Sequence, residues 1–142
     1  MIGETIMTYE ERNKKLEELE NEAKSWGASE IIPWRKDYLN GGGVTICYDN
    51  GYCADICLTD MSYGNQFGLF EFAIMTYIDN KIGEMVFDTP ITDDVLGGLT
   101  IEECKDYCQQ VKELTLHDAL KHANKNLQNT VNELNNALNK KG

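Results

Sequence analysis

The sequence lacks the features that mark membrane-spanning and secreted proteins. No apolar run approaches the ~20 residues needed to cross a bilayer. The first twelve residues contain no basic segment followed by an apolar one, which argues against a signal peptide. We therefore expect a cytoplasmic protein whose five cysteines stay reduced. Their odd number and the lack of a Cys-x-x-Cys pair argue against both a disulfide framework and a zinc site.

Catalytic and nucleotide-binding patterns are also missing. The two histidines, His117 and His122, are five residues apart on one predicted helix and face different sides of it. There is no Gly-x-Ser-x-Gly element, and Gly41-Gly42-Gly43 lacks the lysine and the following helix of a phosphate-binding loop. We therefore expect a protein that is not an enzyme, with no catalytic residue, no metal ligand and no cofactor.

Basic residues are scarce relative to acidic ones. The chain has 13 Lys and Arg against 24 Asp and Glu, which gives a net charge of −11. The excess is concentrated in residues 27–111, which hold fourteen acids and four bases. Such a body repels nucleic acid and anionic membranes and attracts basic surfaces. The acidity therefore serves either solubility alone or contact with a basic partner, and neither nucleic acid nor membrane is an expected ligand.

Two capping boxes define where helices begin. In Thr8-Tyr9-Glu10-Glu11 and in Thr100-Ile101-Glu102-Glu103, the threonine and the glutamate can satisfy each other's backbone amides. The first helix is predicted to run to about Trp26, and the second to about Leu114. We expect an α+β core domain over residues 8–114, after a flexible leader over residues 1–7.

Between these helices the pattern predicts a four-stranded antiparallel meander of two hairpins. Asn50-Gly51 predicts a two-residue type I′ turn, which would pair Tyr48 with Cys53 and Ile46 with Asp55. A third strand over 69–78 is preferred to a helix because aromatic and branched residues dominate it. The polar turn Asp79-Asn80 then leads to a fourth strand. Three stretches are not part of the predicted meander. Residues 29–40 form either a short strand or a packed connection, residues 41–43 form a flexible glycine joint, and residues 88–98 form a connection.

Residues 115–142 predict a last helix with a regular apolar seam. Leucines recur every seven residues, and Ala123, Thr130 and Ala137 form the matching second position. Asparagine is a weak helix former, so packing has to hold this segment. The helix packs either on its own sheet or against a second copy, as a coiled-coil homodimer. The expected oligomerisation residues are Leu120, Leu127, Val131, Leu134 and Leu138.

Residues 70–114 combine, in order, a strand (LFEFAIM), a polar turn, a strand ending VFDTPITDDVLG and a capped helix ending VKEL. In this order of elements they resemble small, mostly uncharacterised proteins of phages and prophages in low-GC bacteria. As a class, small acidic α+β phage proteins are similar to inhibitors of bacterial immunity, above all anti-CRISPR proteins. The resemblance implies a partner in the host cytoplasm, such as a Cas nuclease or its guide complex. It transfers no functional residue.

The first functional hypothesis is a non-enzymatic inhibitor whose acidic face occludes a basic nucleic-acid-binding surface of a Cas effector. One alternative is a structural or assembly protein that self-associates through the last helix. Another is a small-molecule sponge with a pocket near the loop from Ser62 to Gly68. The residues expected to contact the partner are Asp49, Asp55, Asp60, Asp88, Asp93 and Asp94 as phosphate mimics, with Tyr52, Tyr63 and Phe67 as apolar anchors.

Overall fold

A computed structural model describes residues 7–139. The expected leader, apart from Met7, lies outside the described residues, and so do residues 140–142. No helix among the described residues is long and apolar enough to cross a membrane. The elements in chain order are α1 (Tyr9–Ala23), β1 (Glu30–Lys36), β2 (Gly41–Cys47), β3 (Tyr52–Leu58), β4 (Phe70–Ile78), β5 (Lys81–Met85), β6 (Leu96–Leu99), α2 (Ile101–Lys112) and α3 (Leu116–Asn139).

The α+β class is confirmed, but the described sheet has six strands rather than four. They are all antiparallel in the order β1-β2-β3-β4, and β5 and β6 both pair with the outer edge of β4. Strand β1 forms despite Pro33 because an edge strand tolerates a residue without an amide hydrogen. Strand β6 forms despite Gly97 and Gly98 because Leu96 and Leu99 pair with phenylalanines of β4.

The two capping boxes begin α1 and α2 as predicted. Thr8 Oγ1 accepts a hydrogen bond from the Glu11 amide at 3.1 Å, and Thr100 Oγ1 accepts one from the Glu103 amide at 3.2 Å. Helix α1 ends at Ala23, three residues earlier than predicted, although Trp26 is still buried. The strand prediction for 69–78 is confirmed by β4, and Asp79 and Asn80 have the positive φ angles of a type I′ turn.

The predicted register of the β2–β3 hairpin is wrong by one residue. Cys47 pairs with Cys53 and Thr45 pairs with Asp55, so the loop has three residues rather than two. Gly51 alone in this loop has a positive φ, of 91°, which fits a type I turn followed by a left-handed residue. Because side chains alternate along a strand, the one-residue shift moves Asp55 to the face opposite Val44.

Helices α1 and α2 cover one face of the sheet and form the main core with it, including Leu16, Ile56 and Val111. The three glycines at 41–43 are buried in β2, so the prediction of a flexible joint there is wrong. On the opposite face the Trp34 ring lies against Gly43, where a Cβ atom would come within 2.5 Å of the ring. Only glycine allows this contact.

Arg12 ties α1 to the loop that follows β3. Its side chain is buried and donates to the Asn40 carbonyl oxygen at 3.0 Å, to Asn65 Oδ1 at 2.8 Å and to the Asp60 carboxylate. These hydrogen bonds from Arg12, with one from Asn40, lower the pKa of Asp60. The contact therefore couples folding to the charge on Asp60.

The Arg12–Asp60 contact predicts a specific pH dependence of stability. A depressed folded-state pKa stabilises the fold above the unfolded-state pKa, which is about 3.9 for aspartate, and this stabilisation disappears as pH falls through the folded-state value. Asp60→Asn should therefore lower the free energy of unfolding at pH 7, and its difference from wild type should shrink below about pH 4. Urea unfolding at several pH values measures this, with Asp37→Asn as the control. A difference that is independent of pH would contradict the coupling.

The Asn50 side chain closes the end of α2. Its Nδ2 atom donates to the carbonyl oxygens of Val111 and Leu114, both at 2.8 Å, and its Oδ1 atom accepts from the Tyr52 amide at 3.2 Å. The carbonyls at a helix C-terminus have no partners within the helix. The hairpin turn therefore satisfies α2 and joins the sheet to the helix layer.

Asn50→Asp should destabilise the fold by about 2 kcal/mol, because it keeps the acceptor but removes the donor and places a negative charge at the end of α2. The free energy of unfolding in urea measures the effect. The matched control is Asp49→Asn, one residue away and exposed, which should stay within about 0.5 kcal/mol of wild type. Equal stability of the two variants would contradict the capping role.

Candidate functional site

Helix α3 presents an apolar stripe to solvent. Ala119 is its fully buried residue, whereas Leu127, Leu134 and Leu138 are 64%, 61% and 67% exposed. Leu120 and Val131, the other members of the predicted seam, are exposed as well. The helix was expected to pack either on its own sheet or against a second copy. Its base packs on the sheet, and the apolar seam does not.

The base of α3 is held by a small contact and a hydrogen-bonded histidine. Ala119 packs so closely on Gly51 that a Cβ atom there would lie 2.4 Å from the alanine methyl. His122 Nδ1 is 2.8 Å from the Tyr52 hydroxyl oxygen, and His122 Nε2 is 2.7 Å from Asp88 Oδ1. Lys125 lies on the other side of the Asp88 carboxylate, at 3.9 Å.

A cleft of about 370 Å³ is lined by Tyr52, Asp88, His122 and Lys125, together with Asp118 and Lys121. Burial, followed by the charges of Asp118 and Asp88, raises the pKa of Tyr52 to about 12. The Tyr52 hydroxyl therefore stays protonated, and in the neutral His122 tautomer with its hydrogen on Nε2 it donates to Nδ1 while Nε2 donates to Asp88. Both ring nitrogens of His122 are engaged, and the network fixes the direction in which α3 leaves the body.

The loop between β3 and β4 forms a second exposed apolar surface. Met61, Tyr63 and Phe67 are 80%, 68% and 79% exposed. The loop is tied down nevertheless, because Asn65 Nδ2 donates to the Ser62 carbonyl oxygen at 2.6 Å while its Oδ1 accepts from Arg12. We call Met61, Tyr63 and Phe67 the loop surface.

Asp93 and Asp94 are exposed and lie three to four residues before Gly97. Gly97 packs against the Tyr63 side chain, and the Gly98 amide donates to the Tyr63 carbonyl oxygen at 3.4 Å. The segment that carries these two carboxylates is therefore anchored to the loop.

The remaining residues of the expected contact face are dispersed. Tyr52 is fully buried, so its expected place on an exposed surface is wrong. Asp55 is largely shielded on the outer sheet face, where it accepts a hydrogen bond from Thr45 at 3.2 Å and burial raises its pKa. Asp49 and Asp88 lie at the end of β3 where α3 begins, and Asp60 lies at the other end, bound to Arg12.

The structure concentrates other carboxylates between the helices. Glu18 and Glu22 of α1 and Glu102 of α2 line an open groove that also contains Trp26. The sequence pattern did not single out this groove, because the charges of α1 alternate as on any solvated helix. The small-molecule hypothesis expected a pocket near the loop from Ser62 to Gly68. The open depression of about 290 Å³ in this region is lined by Gly68 and by no other residue of that loop.

No family model, curated protein or solved structure matches this chain. The functional assignment therefore depends on the geometry of α3, the loop surface and the cleft at the base of α3. Residues 7–139 contain no group of three or more His, Cys, Asp or Glu side chains that could hold a metal ion.

The five cysteines are free thiols, as predicted. Burial raises the pKa of Cys104 and Cys108, which lie on the core face of α2. Cys57 donates to Glu71 Oε2 at 3.3 Å on the outer sheet face, and burial also raises its pKa. Cys57, Cys104 and Cys108 are therefore poor nucleophiles, because the thiolate is the reactive form.

Tyr52→Phe should lower the free energy of unfolding by about 1 kcal/mol, because His122 Nδ1 loses its hydrogen-bond partner in a partly buried site. Hydrogen exchange of the amides at 119–123 should become faster. Tyr63→Phe is the matched control, since it removes the same hydroxyl from a ring that is 68% exposed.

His122→Ala should remove the same interaction from the other side. A double-mutant cycle with Tyr52→Phe should therefore give a coupling free energy of about 0.5–1.5 kcal/mol. Strict additivity of the two changes would contradict a direct contact between these side chains.

Proposed function

We propose that this protein is a non-enzymatic binding protein that joins copies of itself through α3 and contacts a different protein through the loop surface. The observation that carries the proposal is the placement of its exposed large apolar side chains. Among residues 7–139, nine of these thirteen side chains lie on two elements, three on the loop and six on α3. Exposed apolar clusters on a folded domain mark protein interaction sites more often than chance.

The proposed target is a basic nucleic-acid-binding surface of a bacterial defence protein, such as a Cas nuclease or its guide complex. The net charge of −11 supports a basic partner. Asp93 and Asp94, which are exposed a few residues before the Gly97 that packs on Tyr63, and the glutamates in the groove between α1 and α2 supply the complementary charge. The inhibitor class is supported by the resemblance of residues 70–114 to small phage proteins.

In this proposal the aromatic side chains supply affinity and the carboxylates supply rate and selectivity. Aromatic anchors dominate the energy of many interfaces. Charges at the rim of an interface act chiefly on the association rate and are screened by salt. Tyr63 and Phe67 are exposed on a loop that its own hydrogen bonds hold in place, so their contact costs little ordering entropy.

A binding assay with a purified Cas9-type nuclease loaded with guide RNA tests the proposal. Tyr63→Ala with Phe67→Ala should weaken binding by about 30-fold or more, chiefly through faster dissociation. Asp93→Asn with Asp94→Asn should slow association and reduce the salt dependence. Ile82→Ala, an exposed apolar residue at the far end of the sheet, is the control and should bind like wild type.

Two outcomes count against this version of the function. Binding that does not change between 50 and 500 mM salt would contradict an electrostatic contact. No binding to any nucleic-acid-binding defence protein, together with self-association in solution, would favour the alternative of a structural or assembly protein of a phage or mobile element. The exposed seam of α3 supports that alternative as well.

A further inference from the structure

The exposed residues of α3 follow a stricter pattern than a seven-residue leucine repeat. Leu127, Val131, Leu134 and Leu138 are separated by four, three and four residues, and all are exposed. This alternation is the a/d pattern of a coiled coil. Leucines 120, 127 and 134 then occupy the d positions, and residues 124, 131 and 138 (Asn, Val and Leu) occupy the a positions.

The body of the protein lies against the opposite side of this helix. Two residues hold the base of α3 on the body: Ala119 at position c and His122 at position f. One turn further on, a cleft beside residues 85–88 is lined by Asn126 at c and Asn129 at f. Position f is diametrically opposed to the a/d seam. The a and d residues from Leu120 to Leu138 are all exposed, so a second helix can pack along them away from the sheet.

Helix α3 also lacks the means to be stable without a partner. All residues from Leu127 to Asn139 are exposed, and five of these thirteen are asparagines. Asparagine is a weak helix former, and helices of this length are marginal in water without packing. An additional helix along the a/d seam would supply that packing.

We propose that the occupant is a second copy of α3, parallel and in register, so that the protein is a two-stranded coiled-coil dimer. This inference rests on the self-association proposed above and specifies its stoichiometry and direction. A β-branched residue at a with leucine at d favours two strands, and Val131 occupies the central a position.

Asn124 sets the direction. In a parallel pair, the two Asn124 side chains meet across the seam and hydrogen-bond to each other. In an antiparallel pair, each would face an apolar side chain, and burying an unpaired amide is costly. A single polar asparagine at a is a known determinant of register and oligomeric state.

The flanking positions do not oppose self-pairing. Positions e hold Lys121, Gln128 and Asn135, and positions g hold Ala123, Thr130 and Ala137. This set has one charge, so two copies do not repel each other strongly and no charge pattern selects a different chain.

The test uses the full chain, light scattering and cysteine cross-linking. Wild type should have twice the mass of one chain, and Leu127→Lys with Leu134→Lys should be monomeric at the same concentration. Asn132→Lys with Asn136→Lys, which adds the same charge at the outer positions b and f, should stay dimeric. Unchanged far-ultraviolet signal from the sheet would show that each variant is folded.

Cross-linking separates the direction from the association. Asn124→Cys should form a disulfide-linked dimer on oxidation, because its counterpart faces it in a parallel pair. Asn132→Cys on the outer surface should not, and the wild-type chain controls for its own thiols. A monomeric wild type would overturn self-association itself. A dimer that Asn124→Cys fails to link, or a trimer or tetramer, would overturn only the parallel two-stranded arrangement.

Discussion

The three-residue turn from Asp49 to Gly51 is the constraint on which the rest of the structure depends. Its length sets the register of β2 against β3, and therefore which side chains face the helices. Asn50 satisfies the last carbonyls of α2, Gly51 receives Ala119 of α3, and the Gly51 carbonyl oxygen accepts from the Tyr77 amide of β4 at 2.7 Å. One turn thus positions two helices and one further strand, β4.

This dependence explains which parts of the fold the sequence predicts. Capping boxes and the Asp79-Asn80 turn are local devices whose energy comes from neighbouring residues, and both form as expected. The Asn50-Gly51 turn is different, because a two-residue and a three-residue loop are both compatible with the dipeptide. The partners that accompany the three-residue form are carbonyls of α2, about sixty residues away, and no local pattern reports them. Strand β6 likewise exists through pairing with β4.

The candidate site divides in the same way. The apolar stripe of α3 follows from helical periodicity, and its exposure was one of the two outcomes that the pattern allowed. The Tyr52–His122–Asp88 network could not be predicted, since its members are 34 and 36 residues apart along the chain and no spacing rule connects them. The acidic residues of the expected contact face were selected by their charge, and the fold does not place them on one surface. Asp49 and Asp60 lie at opposite ends of strand β3, roughly 20 Å apart at the usual rise per residue.

That separation has a consequence for how the two surfaces work together. Helix α3 begins at the end of β3 that carries the hairpin turn, whereas the loop surface follows the other end of the same strand. In the proposed dimer, both loop surfaces stay free. Because the His122 network fixes α3 to the body, that dimer would hold the two loop surfaces at a defined spacing rather than on a flexible tether. A target with two sites at that spacing gains avidity from two weak contacts, and a target with one site gains nothing.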